Sequence, residues 1–235
     1  RMPKVIVMDI HGCREEVLEL LGSVRADWKK DMLIQMGDMV DRGPDPCGVL
    51  NVFREFKEEM GERCVLIRGN HEQILMECTR DPEQKDLWSL NGGSKTIRSC
   101  WEWGQKLDEW AAWLEEHTVL WYQDEEIFCA HAGARSGRGE ENDSEILLWD
   151  REAILNNTYG DRLLIVGHTP LSVAAYMDGS GGPVEPLTDG MVRPLPERGM
   201  ICIDTGCVFG GKLTAMVIED GRFLLRSVKS KGRRA

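Results

Sequence analysis

Two aspartates and an arginine fall within the seven residues "GDMVDRG" (37–43), directly after the apolar run "MLIQM" (32–36). Carboxylates at the exit of a buried strand can hold a cation, and a guanidinium there can grip an anion with paired hydrogen bonds. A plain polar turn needs neither. The pattern recurs along the chain. "VIVM" (5–8) leads into Asp9 and His11, and "CVLI" (64–67) runs through Arg68 and Gly69 to Asn70 and His71. "IFCA" (127–130) ends in His131, and "LLIV" (163–166) ends in Gly167 and His168. Four of the five histidines sit at these exits, and only His117 lies elsewhere, where it reads as decoration at a helix end. One histidine after a strand is ordinary packing. Four of them, with Asp9, Asp38 and Asn70, call for a common site. Ligands gather outside the carboxyl ends of strands in α/β sheets, so these groups should converge at one sheet edge.

The donors are oxygen and nitrogen, with no thiolate, a set that suits manganese, iron or zinc ions better than a cysteine-type structural zinc. There are too many donors for one ion. Two divalent ions about 3.5–4 Å apart, bridged by a carboxylate, are the expected solution, and such a pair activates water and clamps phosphoryl oxygens. Asp9 and His11 are two residues apart, so on an extended strand end their side chains would share one face and serve one ion. Gly37, Gly69 and Gly167 each precede a candidate ligand and leave room for close approach.

Short apolar runs at 5–8, 32–36, 64–67, 127–130, 163–166, 200–203, 213–218 and 223–228 have the length and β-branched content of strands. Helical patterns cover 14–26, 46–60, 72–79, 100–117 and 150–157. Alternation in the first half predicts an α/β protein, and the "EDG" turn between the last two runs makes the sheet mixed. Residues 81–121 hold six of the eight tryptophans and read as a helical insertion. Either its tryptophans pack on the main body or it forms a cap over a groove. Residues 177–199, rich in Gly and Pro, read as a long loop. Nothing divides the chain, so residues 2–235 are expected to form one domain; Arg1, ahead of Met2, is left out.

The net charge of −11 argues against general nucleic-acid binding, because a phosphate backbone would be repelled. Only the tail "KSKGRRA" is basic, and it reads as a frayed end. No apolar run is long enough to span a membrane, and the N-terminus does not resemble a signal peptide. The eight cysteines form no CxxC pair and several lie in apolar runs, so reduced thiols in a cytoplasmic protein are expected.

"DIHG" (9–12), "GDMVDRG" (37–43), "GNHE" (69–72), "AHAG" around His131 and "GHTP" around His168 together resemble the phosphoprotein phosphatase branch of the calcineurin-like metallophosphatases. "LLWDRE" (147–152) and "DTGCVFGGKLT" (204–214) are similar to late motifs of the bacterial and bacteriophage lambda serine/threonine phosphatases. The resemblance spans roughly 9–214. It implies two packed mixed β-sheets flanked by helices, with the metal site at one sheet edge. It implies that Asp9 and His11 ligate one ion, that Asp38 bridges, and that Asn70, His131 and His168 complete the second. Arg42 and Arg151 would hold phosphate oxygens, with Asn70 also touching them. His71 would be the general acid, oriented by Asp41. Glu72 reads as a structural carboxylate. Asp204 is either a partner that orients a ligand histidine or a turn residue. Met8 replaces the glycine usual before the first aspartate; its side chain either narrows the metal edge or points into the core. "AHAG" also differs somewhat from the phage sequence around the histidine.

The implied reaction is one-step hydrolysis of a phosphate monoester by water activated at two divalent ions, manganese first among them, with a phosphoprotein or phosphopeptide as substrate. Phosphoserine, phosphothreonine and phosphotyrosine are all open. A symmetrical diadenosine tetraphosphate hydrolase of the same family is the nearest rival and shares the "HGC" opening (11–13); Asp41 and Glu72 lean toward the protein phosphatase. A non-catalytic metal-binding module is the third reading, against which the Asp41–His71 pair and both arginines stand. The 81–121 and 177–199 segments are expected to border the substrate groove.

Overall fold

The apolar runs are continuous rather than alternating because each sheet is covered on both faces. The computed structural model describes residues 1–232. The last residues of the basic tail, 233–235, lie outside the described residues, and that part of the frayed-end expectation with them. Thirteen strands run in chain order among the described residues. They are β1 (Lys4–Val7), β2 (Met32–Gln35), β3 (Cys64–Ile67), β4 (Thr118–Val119), β5 (Trp121–Gln123), β6 (Phe128–Ala130) and β7 (Leu164–Val166). There follow β8 (Ala175–Met177), β9 (Glu185–Pro186), β10 (Arg193–Pro194), β11 (Met200–Cys202), β12 (Lys212–Glu219) and β13 (Arg222–Lys229). One sheet has the order β10-β13-β12-β1-β2-β3-β4 and the other β5-β6-β7-β11-β8-β9. Both are mixed: β1, β2, β3 and β4 run parallel and β12 antiparallel to β1, while β6, β7 and β11 run parallel between antiparallel neighbours.

The period of two along each run assigns side chains to layers. Ile6, Met8, Ile34, Met36 and Ile67 face the second sheet and meet Cys129, Ile165 and Ile201 there. Val5, Val7, Leu33 and Leu66 face the opposite way, into a core shared with helices. Those helices are α1 (Arg14–Ser23), α2 (Pro46–Met60), α3 (Asn70–Arg80), α4 (Lys85–Trp88), α5 (Ser94–Glu102) and α6 (Leu107–His117). The outer face of the second sheet, with Phe128, Leu164, Val166 and Cys202, is covered by α7 (Ser144–Trp149) and α8 (Glu152–Asn156). The expected architecture of two packed mixed sheets between helical layers is the one observed.

Local signals set the ends of α2. Asp45 caps it, accepting from the Gly48 N–H, Pro46 occupies the first turn, and Gly61 with φ +58° ends it. The single helix expected over 100–117 is instead two. Gly104 takes φ +66° between α5 and α6, and the Gly104 and Gln105 N–H groups turn back onto Trp101 and Cys100 carbonyls. A glycine just past a helix end is the usual device for such a stop. Of the insertion's tryptophans, Trp88 and Trp110 are buried in the core, whereas Trp101 is 81% exposed. The packing expectation therefore holds for some of them only. All eight cysteines are free and buried, and no helix among the described residues is long and apolar enough to cross a membrane. Residues 177–199 form short edge pairings, β8–β9 on one sheet and β10 on β13 of the other.

Lys4 begins β1 with its side chain buried, and its Nζ lies 2.7 Å from Glu126 and 3.1 Å from Asp124 in the β5–β6 turn. Removing one member of a buried ion pair leaves uncompensated charge. Lys4→Met is expected to cost about 3 kcal/mol, read as a lower urea midpoint with an unchanged slope.

Candidate metal and phosphate site

The five strand exits meet at one edge. Asp9 and His11 follow β1, Asp38 follows β2, Asn70 and His71 open α3 after β3, His131 follows β6, and His168 follows β7. All seven are buried. Asp38 is at the centre. Its Oδ2 lies 3.4 Å from His11 Nε2 and 3.3 Å from His131 Nε2, and its Oδ1 accepts from the His71 backbone N–H. Two groups with ligand spacing share Asp38: His11–Asp38–His71 and Asp38–His131–His168. Asp9 is in neither triad; its carboxylate accepts from the His168 backbone N–H at 3.2 Å.

The backbone that presents these groups is not extended strand. Among the described residues, eight non-glycine residues have positive φ, and six of them are Asp9, His11, Asp38, Asp41, Arg42 and His168. Each such residue costs on the order of 1–3 kcal/mol, and strain of this kind collects at functional sites. The expectation that Asp9 and His11 share a face of an extended strand end is therefore incorrect: β1 stops at Val7, and both residues sit in left-handed turns.

Glu72 stabilises the turn at Asp38. Its two oxygens accept from the N–H groups of Asp38, Met39 and Gly69, and its side chain is fully buried, as a structural carboxylate should be. Gly69 is needed for close approach, since a Cβ there would lie 2.2 Å from Asp38 Oδ1. Met8 points into the inter-sheet core with its thioether against Gly167, so of its two readings the core one is observed. Asp204 accepts from the Gly206 N–H, the turn reading, and among the described residues no histidine hydrogen-bonds to it. His117 bonds to the Trp113 carbonyl and stacks on that indole, away from the site.

The tautomers follow from the partners. Nδ1 of His11 faces the Val40 carbonyl at 2.7 Å, and Nδ1 of His131 faces the Met36 carbonyl at 2.9 Å. A carbonyl can only accept, so each Nδ1 carries a proton and each Nε2 is turned to Asp38. Asn70 Oδ1 lies 3.0 Å from His131 Nε2. Among the described residues the buried His168 Nε2 has no hydrogen-bond partner, a costly state for a polar atom unless a cation takes its lone pair. Burial disfavours protonation of His11 and His131, yet the Asp38 carboxylate overrides it and raises them to about 9 and about 10. Burial also opposes ionisation of Asp38, but His131, His71 and His11 hold its carboxyl well below the usual range. Burial, with the His131 charge beside it, lowers His168 to about 3. Protons on these imidazoles balance Asp38 where divalent cations would do so instead. The oxygen and nitrogen donors, the fixed tautomers and the unpartnered His168 nitrogen all fit divalent metal ions.

His71 stands at the other side of Asp38. Its Nδ1 is 2.6 Å from Asp41 Oδ2. The same oxygen accepts from Trp88 Nε1–H at 2.9 Å, and Asp41 Oδ1 accepts from the Thr96 hydroxyl at 2.7 Å. Sequence reading misses Thr96 altogether, takes Trp88 only as one of the insertion's six tryptophans, and gives no role to Phe209, whose ring lies under the Arg42 guanidinium at 5.5 Å. Arg151, following α7, donates to the His168 carbonyl and the Thr169 hydroxyl. A cleft of about 520 Å³ opens over Asp9, His11, Asp38, Asn70, His71 and His168, with Arg42 and Arg151 in its lining. Ile74, Leu87 and Trp88 add an apolar wall, and Trp149 and Phe209 also line it. The 81–121 insertion thus reaches the cleft through Gln84, Leu87, Trp88 and Asn91, whereas residues 177–199 contribute nothing to it and that expectation is not met.

Residues 2–213 match the model of the calcineurin-like phosphoesterase family. The chain is 30% identical over 228 residues to a serine/threonine-protein phosphatase 1 of Salmonella typhimurium, with 91% of each chain covered. It is also 30% identical over 274 residues to a symmetrical bis(5'-nucleosyl)-tetraphosphatase of Aeromonas salmonicida, covering 93% of this chain and 95% of that one. A metallophosphoesterase from Sphaerobacter thermophilus superposes with a TM-score of 0.66 at 19% identity, covering 98% of this chain and 90% of the other. The family match over nearly the whole described chain and the matching architecture agree: this chain belongs to the calcineurin-like phosphoesterases, a family of metal-dependent phosphoester hydrolases.

Proposed function

We propose that this chain is a serine/threonine protein phosphatase, with phosphotyrosine as a further substrate class to be tested. Two divalent ions held by Asp9, His11, Asp38, Asn70, His131 and His168 would supply Lewis acidity and an activated water. The chain's own groups do the rest. Arg42 and Arg151 grip the non-reacting phosphate oxygens, with Asn70 in the first turn of α3 also touching them. His71 gives its Nε2 proton to the departing alkoxide, while Asp41 holds Nδ1 and fixes the ring's orientation.

The observation that carries the reading is the buried Asp41–His71 pair at 2.6 Å beside the Asp38 cluster. A binding module has no need of a proton donor. Glu72 weighs less in the choice of substrate than its sequence position suggested, because all its bonds go to backbone. The tetraphosphatase relatives, matched at similar coverage, keep a dinucleoside polyphosphate substrate as the second reading.

A parallel turnover assay separates them. The protein is stripped of metal, reloaded with Mn²⁺, and offered phosphoserine, phosphothreonine and phosphotyrosine peptides and diadenosine tetraphosphate. Fast phosphate release from peptides with little nucleotide cleavage is expected. The reverse result assigns the chain to the nucleotide hydrolases, and no metal-dependent turnover on any substrate leaves the binding module.

A further inference from the structure

The part of the insertion nearest the cleft makes a set of bonds that no packing role requires. Asp41 is fully buried, and its carboxylate has three donors: His71, Trp88 and Thr96. Thr96 closes a ring with Asp41, because its hydroxyl donates to Oδ1 while accepting from the Asp41 N–H at 2.9 Å. Arg42, the next residue, donates its N–H to the Gly92 carbonyl at 3.1 Å. Asp41 and Arg42 both have positive φ, at 71° and 67°. The segment 88–96 therefore bonds to backbone or side chain of both residues where their conformation is least favourable. Trp88 is fixed in turn: its indole lies over Gly93, where a Cβ would come within 2.5 Å of the ring.

We infer that Trp88 and Thr96 are positioning residues that aim the Asp41–His71 pair, so that the insertion is part of the proton-delivery apparatus as well as a wall of the cleft. The inference rests on the phosphatase reading. A buried carboxylate with one partner could rotate about χ2 and lose alignment with His71. With Trp88 on one oxygen and Thr96 on the other, rotation breaks both bonds at once. Groups that orient a reacting side chain in this way typically contribute 10- to 100-fold in activity. Because Trp88 also faces the cleft, a leaving group seated against the indole would press on the residue that aims its proton donor.

The test uses the Mn²⁺-loaded chain and two aryl phosphates, phenyl phosphate with a poor leaving group and 2,4-dinitrophenyl phosphate with a good one. Thr96→Val removes both hydroxyl bonds at nearly constant volume, and Trp88→Phe removes the indole N–H but keeps a ring. For each, kcat on phenyl phosphate is expected to fall roughly 10-fold or more, with kcat on the dinitrophenyl ester within about twofold and KM unchanged. Thr96→Ser, which keeps the hydroxyl and guards against a folding defect, should restore turnover. Equal losses on both esters, or Thr96→Ser as poor as Thr96→Val, overturn the inference while leaving the phosphatase reading intact. A readout independent of activity, taken on the metal-free chain because paramagnetic Mn²⁺ would broaden it, is the downfield proton resonance of His71 Nδ1–H, identified by its loss in Asp41→Asn. It should shift in Thr96→Val and Trp88→Phe, and an unmoved resonance also overturns the inference. A wild-type chain without metal-dependent turnover, but with the resonance shifting as stated, sinks the phosphatase reading and retains the positioning role.

Discussion

Asp38→Asn is expected to abolish retention of at least one ion and to lower turnover by roughly 10³-fold or more. No other side chain belongs to both ligand triads. Its Oδ2 lies between His11 Nε2 and His131 Nε2, and its Oδ1 accepts from the first turn of α3. Asparagine matches the shape but not the charge. It removes the anion that two cations would share, and an amide NH₂ in place of either oxygen would face an N–H donor or a cation, to neither of which it can offer a lone pair. Turnover on 2,4-dinitrophenyl phosphate and metal content per chain after gel filtration read the two effects, with circular dichroism checking the fold. A variant that keeps two ions and stays within about tenfold of wild type would remove Asp38 from the centre of the site.

His71→Asn should separate the two halves of the reaction. General acid catalysis contributes about 10²- to 10⁴-fold, and the benefit depends on how badly the leaving oxygen needs a proton. A phosphoserine peptide should therefore lose turnover by roughly that factor, while a dinitrophenyl ester, whose phenolate departs unaided, should lose far less. Metal content should not change, because Asp38, His131 and His168 still form a complete group and His11 still faces Asp38. Equal losses on the two substrates, or a loss of metal, would place His71 among the ligands, a role for which its closeness to His11 and Asp38 leaves room. On the dinitrophenyl ester the two substitutions thus predict different results, a large loss for Asp38→Asn and a small one for His71→Asn.

Arg151 illustrates a group whose place was legible although its present bonds were not. Its guanidinium donates to the His168 carbonyl and Thr169 hydroxyl and lines the cleft. Holding phosphate would mean exchanging those bonds for charge-assisted ones, which are stronger.

The sequence by itself determined the strand exits. Five of the eight apolar runs of strand length are followed by candidate ligands, and the rule that ligands gather beyond strand ends makes these one site. Those features are local, so Asp9, His11, Asp38, Asn70, His71, His131 and His168 could be read together without a structure. That a sheet is mixed followed from the "EDG" turn between the last two runs, whereas the pair of packed sheets came only with the family resemblance. Only the tertiary structure decided the rest. The left-handed turns at Asp9, His11 and Asp38 are held by distant groups such as Glu72, which no local propensity reports. Trp88 and Thr96 reach Asp41 across 47 and 55 residues. Within their own segment they look like helix-packing residues, and the break at Gly104 divides a pattern that reads as one helix. Residues 177–199 look like a groove loop by composition, but their edge pairings draw them to β13 and β8 and keep them out of the cleft. Periodicity encodes which face is buried, whereas the partner across that face depends on how remote segments pack, and one sequence carries no spacing rule for that.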